Sequence, residues 1–466
     1  MKTLKPLTLS GQQVLPLIEG GKGISVSNGQ SAGAWAATGA VGTFSGVYGD
    51  YYDETGKFIP LIFKGKTRSE RSIELTNHAI KAAISQAKIA YDLSGGAGRI
   101  HMNVLWGISS VEYFLQEVLK NTKNLIHGVV CGAGLPFKLA EIASQHKVFY
   151  YPIVSSARAF NLLWKRSYIN FREWLGGVVY EDPWKAGGHN GISNNEDCDL
   201  PENPYQRVVA IRQIMRECGL HDIPIIMAGG VWFLRDWENW INNTEIGPIA
   251  FQFGTRALLT VESPISDSWK QKLLDLDPAE IKSNHFSPTG FHSLAVVNNF
   301  IKELQGRSLR QVYYSLTPTE ERKMAFVINK IKNKAIYLTD EDNQKANCWI
   351  KAGFNKTMVT PDSSLIFITQ EKYNEIRETQ INCTGCLAYC RFSNWSEKKE
   401  VAEGKIPDPR SYCIRRTLYN ISHGGDIQEN LMFSGKLAYL FAQDPFYKNG
   451  FIPTVKELIN RILTGN

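Results

Sequence analysis

Eight short apolar or β-branched runs, at 14–18, 41–44, 100–105, 128–130, 148–153, 177–180, 223–228 and 249–253, recur along the first 253 residues. Between most of them lie segments with helical apolar spacing, at 32–38, 70–91, 111–119, 139–145, 157–164, 205–218 and 234–241. Strand and helix alternating eight times leave few solutions, because parallel strands need crossovers and helices must cover both sheet faces. The expected fold is α/β: a (β/α)8 TIM barrel. After about residue 300 the alternation fades and Lys, Asn and Thr rise. The expected organisation is therefore a barrel over 1–300, an appended cysteine-containing C-terminal subdomain over 301–430, and a C-terminal helical segment over 431–466 that docks on the barrel. In that last segment apolar residues take helical spacing behind Pro453, near the expected helix start.

Composition narrows the function classes. Of 466 residues, 43% are hydrophobic and 21% charged, and no 18-residue uncharged apolar run appears, so a membrane span is not expected. The N-terminus lacks the sustained apolar core of a signal peptide, which makes a cytoplasmic location the expectation. The formal net charge of +7 is spread along the chain apart from Lys330, Lys332 and Lys334. Such a spread does not favour nucleic acid as a partner.

The glycines cluster just after strand ends, where a barrel gathers its ligand-binding loops. Gly229-Gly230 follows the seventh run and Gly254-Thr255 the eighth. Consecutive loops in these positions suit a phosphate held by backbone N–H groups. After the sixth run come Glu181, Asp182, then Gly187, Gly188 and His189. The glycine pair lets backbone approach a flat ligand, and His189 brings an imidazole that titrates near neutrality. Tyr48, Tyr51 and Tyr52 after the second run fit either a pocket roof or a packed loop. Cys383, Cys386, Cys390 and Cys413 form a C-x2-C-x3-C…C array, suited to a 4Fe–4S cluster or a tetrahedral zinc. Paired C-x2-C units favour zinc, whereas three cysteines packed at x2 and x3 resemble the cluster-binding segments of some flavin reductases with a related barrel, which puts the cluster first; unligated thiols remain the third reading.

Taken in order, Gly132-Ala133-Gly134-Leu135-Pro136, Ala186-Gly187-Gly188-His189-Asn190-Gly191, Ala228-Gly229-Gly230-Val231 and Gln252-Phe253-Gly254-Thr255-Arg256-Ala257-Leu258 carry a joint pattern. It resembles the nitronate monooxygenase family, formerly called 2-nitropropane dioxygenases, and is shared with FMN-dependent enoyl reductases. The resemblance covers roughly 14–300, including Ser287-Pro288-Thr289-Gly290, and implies an FMN-binding (β/α)8 barrel. It puts the FMN phosphate near Gly229, Gly230, Gly254 and Thr255, with Gln252 adjacent, Asn103 and Gly187 near the flavin, and His189 as the catalytic histidine. One residue more than the usual spacing precedes Gly-Gly-His, so Glu181 and Asp182 compete for one cofactor-binding role, with Glu181 slightly favoured.

The resemblance implies that His189 deprotonates a nitroalkane and that the flavin passes electrons from the nitronate to O2, a small-molecule substrate and oxygen being the partners. The alternative is an FMN-dependent enoyl-thioester reductase with iron–sulfur-assisted electron transfer, taking NAD(P)H or another electron donor. A flavin-free binding protein on the same fold is the alternative of another class.

Overall fold

The computed structural model describes residues 2–193, 195–327 and 335–465; the lysines at 330, 332 and 334 lie outside the described residues. Eight parallel strands close into a barrel: β1 (Leu17–Glu19), β2 (Val41–Ser45), β3 (Arg99–Leu105), β4 (Gly128–Gly132), β5 (Phe149–Val154), β6 (Val178–Glu181), β7 (Ile225–Ala228) and β8 (Ile249–Phe253). β8 closes the ring on β1, pairing Gln252 with Ile18. Each strand is buried on both faces, which is why it reads as a continuous apolar run rather than an alternating one. Alternate residues still sort cleanly. Val130, Tyr151, Val179, Ile226 and Ala250 fill the barrel interior, while Val129, Tyr150, Val178 and Phe251 pack outward on the helices.

Six helices flank the strands: α1 (Gly29–Ala37), α2 (Arg68–Ser94), α3 (Val111–Asn121), α4 (Leu139–Gln145), α5 (Ala157–Arg166) and α6 (Pro204–Glu217). Their starts are encoded locally. Asn28 and Ser156 cap α1 and α5, Thr67 and Glu70 form a capping box on α2, and α6 opens with Asn203 followed by proline. Two elements differ from expectation. The first run splits at Pro16, which has no amide to give a ladder: Gln12–Val14 turns back on Leu7–Leu9 as a hairpin whose Leu9 and Val14 join the barrel interior. The seventh helical pattern shortens to a 3-10 turn at Leu234–Trp237, with Trp237 and Trp240 stacked edge to face beneath it.

Beyond the barrel, strands Ile281–Asn284 and Ser293–Val296 pair antiparallel, and Gly188–His189 adds as a third strand. Gln311–Tyr313, Lys356–Val359 and Ser364–Ile368 then build a small sheet with its own apolar cluster, in which Val312, Ile336, Leu338, Leu365 and Phe367 meet. The chain next returns to the barrel, where Leu387 bridges Ile108. A helix at Ile414–Ser422 follows, and Met432 to Ser434 runs alongside Leu294 to Val296. The final helix, Val455–Thr464, is capped by Thr454 and Glu457; it buries Val455, Leu458, Ile459 and Ile462 and packs on α1. No helix among the described residues is long and apolar enough to cross a membrane.

Candidate active site at the barrel mouth

The carboxyl ends of the strands open into one cleft of about 1690 Å³, its open mouth included. Asn103, Glu181, Gly187, His189, Gly229, Gly230, Gln252, Gly254 and Thr255 all line it, although they come from four different strand ends. Asp182 does not. Its carboxylate turns back to accept from the amides of Trp184 (2.9 Å) and Lys185 (3.1 Å), so it shapes the loop, while Glu181 faces the cavity. Burial, and then the Asp182 charge, push the Glu181 carboxyl up to about 8. Glu181 is thus protonated at neutral pH.

One corner of the cleft suits a phosphate. The amides of Gly229, Gly230, Gly254 and Thr255 have no acceptor among the described residues, and Gly229 and Gly230 sit at φ of +86° and +76°. These unpaired amides on the cavity wall leave backbone donors free for an anion. A Cβ on Gly254 would meet nothing within 4 Å, so the space beside it is open. Lys185 lies against Gly230 and lines the same cavity, adding positive charge. Aliphatic side chains, among them Ile24, Val47, Ile108, Leu387, Leu418 and Met432, supply apolar walls for a flat ring system. These residues fit FMN: unpaired amides and a lysine for its phosphate, apolar walls for its ring system, and the Asn103 and Gln252 carboxamides as polar partners.

His189 is held by groups distant in sequence. Its backbone pairs with Ser293, its Nε2 lies 2.6 Å from Ser287 Oγ and 3.3 Å from Thr289 Oγ1, and its ring packs 5.3 Å from that of Phe433. Among the described residues Nδ1 makes no hydrogen bond, and His189 lines the cavity. Burial lowers the imidazole to about 4, so it is neutral at physiological pH.

Several lining residues escape sequence reasoning because they arrive from far along the chain. Phe433 and Gly435 cross the mouth, with Gly435 N donating to Thr255 Oγ1 at 2.8 Å. Lys22, against Glu19 at 3.2 Å, and Lys185 carry no motif that sets them apart from surface lysines. Ser287 stood inside a recognisable Ser-Pro-Thr-Gly turn, but nothing local says its hydroxyl reaches His189. Of the three tyrosines, Tyr48 lines the cleft and donates to the Cys386 carbonyl, whereas Tyr51 and Tyr52 form a ribbon with Phe58 and Ile59. The four array cysteines are unbridged, and Cys386 is part of the cavity wall.

A closed parallel barrel with a glycine-lined cleft at its carboxyl mouth defines the class as a ligand-binding (β/α)8 barrel. The family model described as nitronate monooxygenase matches residues 7–366, and the chain belongs to that family of flavin oxidoreductases. Among solved structures, it is similar to the enoyl reductase domain of MlnA from the macrolactin biosynthesis cluster of Bacillus amyloliquefaciens, at 15% identity and a TM-score of 0.54, over 96% of this chain and 93% of that one. FabK from Thermotoga maritima aligns at 14% identity over 96% and 91% of the two chains, with a TM-score of 0.46. The nitroalkane oxidase from Streptomyces ansochromogenes aligns at 17% identity over 64% and 79%, with a TM-score of 0.43. A search of curated proteins found no match.

Proposed function

We propose that the chain is an FMN-dependent nitronate monooxygenase, acting on nitroalkanes or their nitronates with O2, with His189 as the general base. The observation that carries this reading is a neutral imidazole on the cavity wall, with Nε2 engaged by Ser287 and Nδ1 without a partner among the described residues. A nitro group makes the adjacent C–H acidic enough for such a base. With Nε2–H donated to Ser287 Oγ, the lone pair resides on Nδ1, which takes the proton. Burial opposes the imidazolium that results, and the nitronate formed beside it supplies the opposing charge. Gly229, Gly230, Gly254 and Thr255 would hold the FMN phosphate, while protonated Glu181 offers an O–H donor to the ring system. Bound there, FMN supplies electron exchange between nitronate and oxygen.

A second reading, reduction of an enoyl thioester with NAD(P)H or another donor, is favoured by one observation. A groove continues from Leu105, Ile108 and Ala133 of the cleft out past Trp106, Tyr113, Phe291 and Tyr389. It offers room for a substrate with a long arm.

The test uses His189→Asn. Turnover of a neutral nitroalkane should fall at least ~100-fold with FMN retained, the size expected when a positioned base is lost. Turnover of the preformed nitronate should suffer much less. Equal losses would make His189 a binding residue, and oxygen-independent NAD(P)H oxidation that requires an enoyl thioester would establish the second reading.

A further inference from the structure

The segment from 383 to 413 is anchored to the barrel almost entirely through backbone carbonyls. Arg71 Nε donates to Cys383 O (3.1 Å), Ser72 Oγ and Ser109 Oγ to Gly385 O (3.0 and 2.6 Å), and Arg68 Nη1 to Ser393 O (3.1 Å). The main chain is thereby fixed while the sulfurs are left to other partners. Gly385 takes φ of +59°, and a Cβ there would come within 2.7 Å of the Trp395 ring, so the turn between Cys383 and Cys386 depends on glycine.

The four cysteines share one region of the core. Cys383, Cys386 and Cys390 are buried in a single apolar cluster with Cys413 packed against it, and Ser393 donates to Cys383 Sγ at 3.2 Å. Cys386 and Ile414, the residue after Cys413, line the same cleft, which brings the returning Cys413 to the wall that carries the C-x2-C-x3-C loop. Cys413 is the N-cap of helix Ile414–Ser422, and its sulfur makes no capping hydrogen bond. Yet no three of the four sulfurs lie within 4.8 Å of one another. Thiolates at ~2.3 Å round one zinc would stand within ~4 Å of each other. The site is too wide for a single ion, while irons at the corners of a cube set their thiolates farther apart.

We propose that Cys383, Cys386, Cys390 and Cys413 hold a 4Fe–4S cluster in the wall of the flavin cavity. The surroundings suit its negative charge. The Gly385 amide (3.4 Å) and Ser393 hydroxyl (3.2 Å) donate to Cys383 Sγ. N–H and O–H groups on cluster sulfurs are a principal means of tuning its potential. Three cysteines are buried, which keeps water from the cluster, and loading displaces the thiol protons. Because Cys386 and Leu387 line the cleft, the cluster sits beside the flavin whichever substrate is turned over.

The test is anaerobic purification of the full chain, with iron and sulfide supplied for reconstitution. The expected result is about four irons and four acid-labile sulfides per chain, with a low-temperature electron paramagnetic resonance signal on dithionite reduction. Cys413→Ser and Cys390→Ser should each lose more than half of the iron and sulfide while keeping FMN. Replacing exposed Cys348 by serine should change neither. Zinc bound stoichiometrically without sulfide, or a wild-type protein that holds FMN but takes up no sulfide, would overturn the proposal. If the serine variants lose FMN as well, the wild-type sulfide content decides it.

Discussion

Gly187 and Gly254 line the same cavity, and the space around each differs enough to separate folding from ligand binding. A Cβ on Gly187 would lie 2.5 Å from the Gly435 amide nitrogen, so Gly187→Ala must displace the segment crossing the mouth. Overpacking of this kind costs about 1–3 kcal/mol, visible as a lower urea midpoint in the FMN-free protein. Gly254→Ala meets nothing, so the apo midpoint should stay at the wild-type value. Its methyl group would occupy the hollow assigned to the phosphate, and FMN affinity should fall at least ~10-fold, about 1.4 kcal/mol. A Gly254→Ala protein that binds FMN with wild-type affinity in a flavin-fluorescence titration would place the phosphate elsewhere. The residue scale is also where the sequence was most informative. Six of the nine cavity residues, Gly187, His189, Gly229, Gly230, Gly254 and Thr255, lie in glycine-rich stretches just past strand ends, and a chain that must both turn sharply and approach a ligand has few alternatives to glycine there. Choosing between Glu181 and Asp182 needed the structure, because adjacent strand-end residues point to opposite faces and only the loop geometry shows which one is spent on the turn.

Among the elements, strands were legible and their ends were not. Burial on both faces leaves each barrel strand as an apolar run, but where it stops depends on features such as Pro16, whose missing amide hands the preceding residues to the hairpin. That hairpin brings Ser10 Oγ to 2.9 Å from His101 Nε2 and 2.7 Å from the Tyr151 hydroxyl, while His127 Nδ1 accepts from the Ile100 amide at 3.1 Å. Desolvation is the main cause holding His101 down to about 3 and His127 down to about 4, with the Arg99 charge adding to both. Each imidazole binds its proton less readily folded than unfolded. Stability from this pair is therefore full above the unfolded value of about 6.5 and is lost as pH falls from there towards 4. Thermal unfolding followed by circular dichroism should show the midpoint dropping through that window. His127→Asn, which cannot take up the proton, should flatten part of the slope, and an unchanged slope would remove His127 from the account.

At the scale of the whole molecule, the barrel accounts for most of the cleft, but its outer wall comes from the last third of the chain. No local pattern announces that wall. Phe433 and Gly435 are unremarkable in sequence, and only the pairing of Met432 to Ser434 with Leu294 to Val296 carries them over His189 and Thr255. What fixes this returning segment is a buried charge cluster. Asp444 accepts from Arg461 Nη2 (3.1 Å) and Trp232 Nε1 (3.2 Å) and lies 3.7 Å from Arg256, which itself donates to the Trp232 carbonyl and stacks over the Trp232 ring. Arg256 follows β8 directly, next to the proposed phosphate site, so Asp444 links the C-terminal segment to the floor of the site. Asp444→Ala would leave the fully buried Arg256 guanidinium without its counter-charge, a loss of about 3–5 kcal/mol that urea unfolding should register. The same change should loosen the wall, so FMN should dissociate faster even at temperatures where the barrel remains folded by circular dichroism. If Asp444→Ala lowered stability by the full amount but left FMN release at the wild-type rate, the C-terminal wall would be a structural brace with no part in holding the flavin.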